Sequence, residues 1–270
     1  MTTINWMSFQ LDEDGVPTPY ASSDLPTVLD AVAATRISSV GLDGLVARDW
    51  LGRDPAELAA LLADRGLDCT DFGVIRIGPD SGPEQASALA PFVEALGVAV
   101  CPTVLDFDPR QGGWHTVHET AAIIAAAGGR LALEFMAFGP LDSLAATAGV
   151  CETVGWDRCG LLLDSWHLMH GGEPWDLVAS LEPEMIALVQ VSDGQEIATD
   201  AKEFFRTSRF ERFAPGDGTF AFEPFLAALE RSGYRGILSP EVLGGSSRYG
   251  APGAYAARLA DSLARLDPNL

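Results

Sequence analysis

Four apolar runs in the second half of the chain each deliver an oxygen-bearing side chain near their end. Leu131-Ala132-Leu133 leads into Glu134, Leu161-Leu162-Leu163 into Asp164, Ala187-Leu188-Val189 into Gln190, and Gly236-Ile237-Leu238-Ser239-Pro240 into Glu241. One such acid at a strand end is ordinarily a helix cap or a solvated loop residue. Four in succession describe a cage. Three carboxylates buried side by side cost several kcal/mol per charge unless compensated by protonation, by arginine or by a cation. Arginine is sparse in the sequence around these acids, so a single divalent cation is the expected counter-charge. Three carboxylates and an amide form an all-oxygen set, which suits Mn²⁺ or Mg²⁺ ahead of Co²⁺ or Zn²⁺.

The elements that must position these residues are legible as an alternation. Strands are expected near Ile4–Phe9, Ser38–Leu42, Asp68–Ile75, Val98–Leu105, Leu131–Met136, Gly160–Ser165, Ile186–Ser192 and Gly236–Val242. Many are near-continuous apolar runs, as parallel strands buried on both faces require. Helical stretches lie between them: Leu25–Thr35, Asp54–Arg65, Glu84–Leu96, His115–Ala127, Phe222–Ser232 and Pro252–Leu266. Asp54-Pro55 is a cap followed by proline at the first helical position, and Gly66, Gly97 and Gly233 stand just past helix ends. Repetition of strand, loop, helix and glycine predicts a single (β/α)8 barrel over residues 1–270, a size close to the roughly 250 residues usual for that fold. In such barrels the C-terminal strand ends converge on one mouth. No Gly-x-Gly-x-x-Gly follows the first strand, which removes support for a dinucleotide-binding sheet. Two long loops, Asp106–Trp114 and Gly194–Thr219, are candidate lids.

Composition excludes several classes. There are 38 acids against 17 bases, a net charge of −21, and Lys202 is the only lysine. That charge repels polyphosphate and argues against a nucleic-acid binder. No apolar run reaches the roughly 18 residues of a spanning helix, and no basic, apolar leader opens the chain, so a cytoplasmic location without membrane contact is expected. Cys69, Cys101, Cys151 and Cys159 show no Cys-x-x-Cys spacing. His115, His118 and His170 read as surface or structural, while Trp6, Trp166 and Phe72 are candidates for an aromatic wall at the mouth.

These motifs resemble the xylose isomerase-like barrels, also called the sugar phosphate isomerase/epimerase superfamily. The resemblance is strongest from Leu131 to Leu243. Members carry Glu on the fifth strand, Asp-x-x-His after the sixth, His or sometimes Gln on the seventh, and Glu on the eighth. Those positions here are Glu134, Asp164 with His167, Gln190 and Glu241, and Arg212-Phe213-Ala214-Pro215-Gly216-Asp217-Gly218 matches the family's Arg-x-x-Pro-Gly-x-Gly turn. The resemblance implies a small hydroxy-carbonyl substrate held on one metal ion, with Glu134 and Glu241 exchanging a proton at the carbon next to the carbonyl. It gives His167 a hydrogen bond to substrate or a part in proton transfer, the alternative being a partner for a metal-bound carboxylate. Arg212 would contact substrate, with a surface ion pair to Glu211 as its alternative; Trp166 and Trp6 would flank the ligand.

An isomerase or epimerase of a sugar-like compound is the first expectation. Two departures keep a second one open. The ketose 3-epimerases place another glutamate where this chain has Pro140, and glutamine in place of histidine on the seventh strand occurs in relatives that dehydrate cyclic substrates such as 3-dehydroshikimate. A dehydratase needs the same first step, followed by loss of the β-hydroxyl. An apurinic-site nuclease, built on a histidine-rich metal cluster, fits poorly with four histidines and this charge. A barrel without activity, serving as a partner subunit, is the remaining alternative. Relatives often assemble through the mouth, so a homo-oligomer is a further expectation.

Overall fold

The structure, a computed structural model, describes residues 1–13, 16–195, 197–198 and 200–266. Its first two strands, β1 (Met7–Leu11) and β2 (Pro17–Ala21), form an antiparallel hairpin. The remaining eight are β3 (Ser39–Leu42), β4 (Asp68–Phe72), β5 (Ile75–Ile77), β6 (Val100–Leu105), β7 (Arg130–Glu134), β8 (Cys159–Asp164), β9 (Ile186–Val191) and β10 (Leu238–Pro240). They form one sheet in the order β10-β9-β8-β7-β6-β4-β3, with β5 also on β6, and every pair in it is parallel. Helices pack around this sheet, which is a nearly closed α/β barrel.

Local chemistry accounts for the elements. Strands β6 and β8 are buried at all six positions, so their largely apolar sequences meet the helices on one side and the barrel interior on the other. Asp54 accepts a hydrogen bond from the Ala56 N–H and starts helix Pro55–Ala63, while Gly97, in the left-handed conformation (φ 62°), ends Pro83–Leu96. Inside the barrel, Val100, Ala132, Leu162 and Leu188 come one each from β6, β7, β8 and β9 and form a separate apolar layer. The main core lies between strands and helices.

Barrel closure differs from expectation. The segment Ile4–Phe9 is not a barrel strand: Thr3–Trp6 is a 3-10 turn, and the chain then leaves the barrel in the hairpin. Pro17 and Pro19 suit β2 to a two-stranded ribbon rather than a central strand. Met1 and Thr2 take the vacated place beside β3, through a parallel bridge from Thr2 to Gly41 and a 2.9 Å bond from the Gly41 N–H to the Met1 carbonyl. On the other side the Asn5 amide does the work of a strand. Its Nδ2 donates to the carbonyls of Pro240 (2.9 Å) and Thr2 (2.6 Å), and its Oδ1 accepts from the Val242 N–H (2.8 Å). A carboxamide carries a donor and an acceptor, like a peptide unit.

Other departures are smaller. The run Asp68–Ile75 is interrupted at Gly73, whose φ of 74° breaks the ladder between β4 and β5. The loop Gly194–Thr219 contains helix Ala201–Phe210, hidden in the sequence by its charged outer face; within that loop Glu196 and Thr199 lie outside the described residues. Loop Asp106–Trp114 holds one 3-10 turn, Pro109–Gln111. Helices Gly44–Trp50, Leu144–Val154 and Ser165–Gly171 also form where no helix was expected. Among the described residues no helix is long and apolar enough to cross a membrane.

Candidate metal and active site

The two-residue period of a strand builds the site. Ala132, Leu162 and Leu188 point into the barrel, so Glu134, Asp164 and Gln190, two residues further on, point to the same inner face one step nearer the mouth. Register aligns them across strands: Asp164 lies opposite Gln190, and Gln190 opposite Ser239, two residues before Glu241. Glu134, Gln190 and Glu241 line one small cavity of about 30 Å³ with Asp43, Asp71 and Leu162. A space of that size accommodates a single ion or water.

Asp164, His167 and Arg212 are not among the residues lining that cavity. Asp164 is completely buried. Its side chain accepts from the Trp166 N–H (2.9 Å), which starts helix Ser165–Gly171, and its Oδ2 receives Arg212 Nη1 at 2.7 Å. That helix turns His167 back toward the cage: Nε2 is 3.2 Å from Glu134 Oε1 and 3.7 Å from Asp164 Oδ2. Glu134, Asp164 and His167 each offer a ligand atom within 4.8 Å of the others, a grouping able to hold a metal ion. The imidazole adds a nitrogen to the all-oxygen set expected, and so accommodates Mn²⁺, Co²⁺ or Zn²⁺ as readily as Mg²⁺.

Glu241 supports a cation independently. Its Oε2 is buried without a hydrogen-bond partner. Burial drives its carboxyl well above the ordinary glutamate range; Arg212 pulls the other way, and Asp164 and Glu134 push it further up. A buried carboxylate oxygen without a hydrogen-bond partner, in the field of two other acids, is available as a ligand atom, so these residues fit a divalent ion.

The expectation that arginine is sparse around the acids is corrected by the structure. Arg212 stands 48 residues beyond Asp164 in sequence, yet it is 3% exposed and its Nη1 also reaches Ser192 Oγ (3.2 Å), the Glu241 carbonyl (3.3 Å) and Glu241 Oε2 (4.0 Å). It makes no surface pair with Glu211, whose partner is Arg206.

None of the aromatic candidates lines that small cavity. Trp6 is buried against Tyr255 and lines a side cavity of about 450 Å³ with Trp50, Leu45 and Val46. That cavity holds none of the four strand-end residues. Trp166 is buried, stacked on His170 at 4.4 Å and lies 5.1 Å below the Arg212 guanidinium. Phe72 stacks on Phe92 in the core. Asp43 and Asp71 were missed, although Asp43 follows the apolar end of β3 as Glu134 ends β7; the strand-end rule applied to the first half of the chain would have found it. Asp43 accepts from Thr3 Oγ1 and Asp71 from Thr70 Oγ1, and burial raises both carboxyls above the ordinary aspartate range.

Comparison with known proteins agrees with this architecture. Residues 34–266 match the family described as xylose isomerase-like TIM barrel. A 3-dehydroshikimate dehydratase of Pseudomonas aeruginosa is 32% identical over 253 residues, covering 84% of this chain and 37% of that protein. The chain therefore spans little more than a third of that relative's length. An inosose isomerase of Halalkalibacterium halodurans is 25% identical over 162 residues, 59% of this chain and 56% of the isomerase. Among solved structures, the IOLI protein with a binding zinc atom shares the fold at a TM-score of 0.79 and 15% identity, over 92% of this chain and 94% of that one.

Proposed function

The chain belongs to the xylose isomerase-like TIM barrel family, and on that premise we propose that it removes the proton next to the carbonyl of a small hydroxy-carbonyl compound, with dehydration of a cyclic substrate of the 3-dehydroshikimate type as the outcome. The observation that carries this reading is the common inner face of Glu134, Asp164 and Gln190, with a Glu241 oxygen beside them that has no hydrogen-bond partner. Glu134, Asp164, Gln190 and Glu241 are the residues that would hold a divalent cation, with His167 in reach of the first two. When bound there, such an ion supplies Lewis acidity that makes the carbon acid next to a carbonyl easier to ionise.

The chain's own groups supply the rest. Glu134 or Glu241 accepts the α-proton. As the electron pair left behind forms a carbon–carbon double bond, the β carbon–oxygen bond breaks. His167 donates a proton to the departing hydroxyl, which leaves as water. Glutamine at position 190 and the 32% identity to a dehydratase support this outcome. A second reading, return of the proton to give an isomer or epimer, is supported by the similarity to the inosose isomerase.

The test is incubation with Mn²⁺ or Mg²⁺ in deuterated water with 3-dehydroshikimate, inososes and ketoses in turn. Loss of water with a new ultraviolet-absorbing conjugated product establishes dehydration. Solvent deuterium in recovered or isomerised sugar establishes the second reading. A protein that binds the cation yet turns over none of them would sink both and favour a partner-subunit role.

A further inference from the structure

The guanidinium of Arg212 is engaged by the protein's own groups. Nε donates to the Ser208 carbonyl (3.2 Å), and Nη1 goes to Asp164 Oδ2, Ser192 Oγ and the Glu241 carbonyl. The side chain is buried, lies against the Trp166 ring and does not line the mouth cavity. Each contact is made to the protein itself, and two of them are to candidate metal ligands, Asp164 and Glu241.

The turn that presents it is clamped. Asp193 exchanges two backbone hydrogen bonds with Phe213, both 2.9 Å. Its carboxylate accepts four backbone N–H groups: Gly194 (2.8 Å) and Phe220 (2.9 Å) on Oδ1, Gly216 (2.9 Å) and Gly218 (3.0 Å) on Oδ2. A carboxylate that accepts several backbone N–H groups is a strong clamp. A Cβ at Gly218 would lie 2.4 Å from Asp193 Oδ1 and 2.2 Å from the Gly194 carbonyl, so the clamp closes only around glycine. From outside, Arg248 Nη1 holds the Arg212 carbonyl at 2.6 Å and its guanidinium covers the Phe213 ring at 3.8 Å.

We infer that Arg212 is a permanent counter-ion of the carboxylate cage, and that Asp193 is the positioning residue that keeps it there. This rests on the cation reading above. With a cation bound, Glu134, Asp164 and Glu241 would together present three carboxylate charges, and Arg212 returns one. The two that remain match one dication. A buried acid that loses its partner is left uncompensated, and a cation then gains what arginine no longer supplies. Arg212 thus weakens cation binding in exchange for a cage that is stable without metal.

The experiment titrates Mn²⁺ alone into the wild type, Arg212→Met, Arg212→Lys and Asp193→Asn, by calorimetry and by thermal melting with and without the ion. Arg212→Met should bind Mn²⁺ at least about tenfold more tightly, melt lower without the ion and recover when it is added. Arg212→Lys keeps the charge and should stay within about threefold of wild type. Asp193→Asn, which places an amide against four donors, should shift Mn²⁺ affinity in the same direction as Arg212→Met, by less. Unchanged or weaker Mn²⁺ binding in Arg212→Met, with only the KM for substrate raised, overturns the inference in favour of substrate contact. Should Arg212→Met not fold, the ordering of Arg212→Lys and Asp193→Asn decides: Asp193→Asn binding Mn²⁺ no more tightly than Arg212→Lys overturns it. Wild type that binds no divalent ion defeats the cation reading instead. Melting of the metal-free variants then judges the counter-ion: a large loss in Arg212→Met but not Arg212→Lys supports it, and equal melting overturns it.

Discussion

The two sides of the barrel wall are held by different means. From β6 to β10 a continuous parallel ladder runs strand to strand, and each of the last four strands delivers one polar residue to the mouth. Among the described residues no full strand lies between β10 and β3. A bridge at Thr2 and the three side-chain hydrogen bonds of Asn5 close the gap. The regular arc positions chemistry through periodicity. The irregular closure positions it through one amide, and two of that amide's bonds fall on Pro240 and Val242, the residues flanking Glu241. An acid at a seam is aimed by whatever closes the seam.

Substitutions on either side of that seam test the contrast. The largest effect is expected from Glu241→Gln, which keeps shape and removes the base. Proton exchange into substrate, followed by deuterium incorporation, should fall by roughly 10²- to 10⁴-fold, about 3–5 kcal/mol of barrier. Retained exchange would assign the proton to Glu134 alone. Next is Asn5→Ala. It orphans the Pro240 carbonyl and the Val242 N–H in a buried place, so urea unfolding should show a loss of about 2–4 kcal/mol together with reduced turnover. If stability falls but turnover does not, the closure is structural and does not aim Glu241. On the regular arc, Gln190→Ala should leave stability nearly unchanged and weaken Mn²⁺ binding on the order of tenfold, about 1.4 kcal/mol, by calorimetry.

The smallest effect concerns pH. Burial raises the Glu241 carboxyl, so without a cation the native state holds a proton that the unfolded chain has released. The stability associated with this group is complete below the ordinary glutamate range and declines as pH rises through the raised native value. Metal-free protein should therefore melt lower toward alkaline pH, and Glu241→Gln should flatten that slope. A slope identical in both proteins would remove Glu241 as its source.

Comparing strands with contacts explains what was legible beforehand. Glu134, Asp164 and Gln190 could be placed because apolar runs and a two-residue period are local properties of the chain. The same periodicity misread Ile4–Phe9, because the backbone pairing that would make it a barrel strand is replaced by a side chain. The charged helix Ala201–Phe210 reads as loop in the sequence because few apolar residues mark its inner face, with Phe204 the main anchor.

By itself, then, the sequence determined the alternation of strands and helices, the mouth to which the strand ends point, and the residue types gathered there. Tertiary structure alone decided that Arg212 neutralises Asp164 from 48 residues away, that Asn5 completes the wall, and that His167 faces Glu134. The physical reason is range. Periodicity and capping act within a few residues, whereas the counter-charge of a buried acid depends on which distant turn the folded chain brings against it.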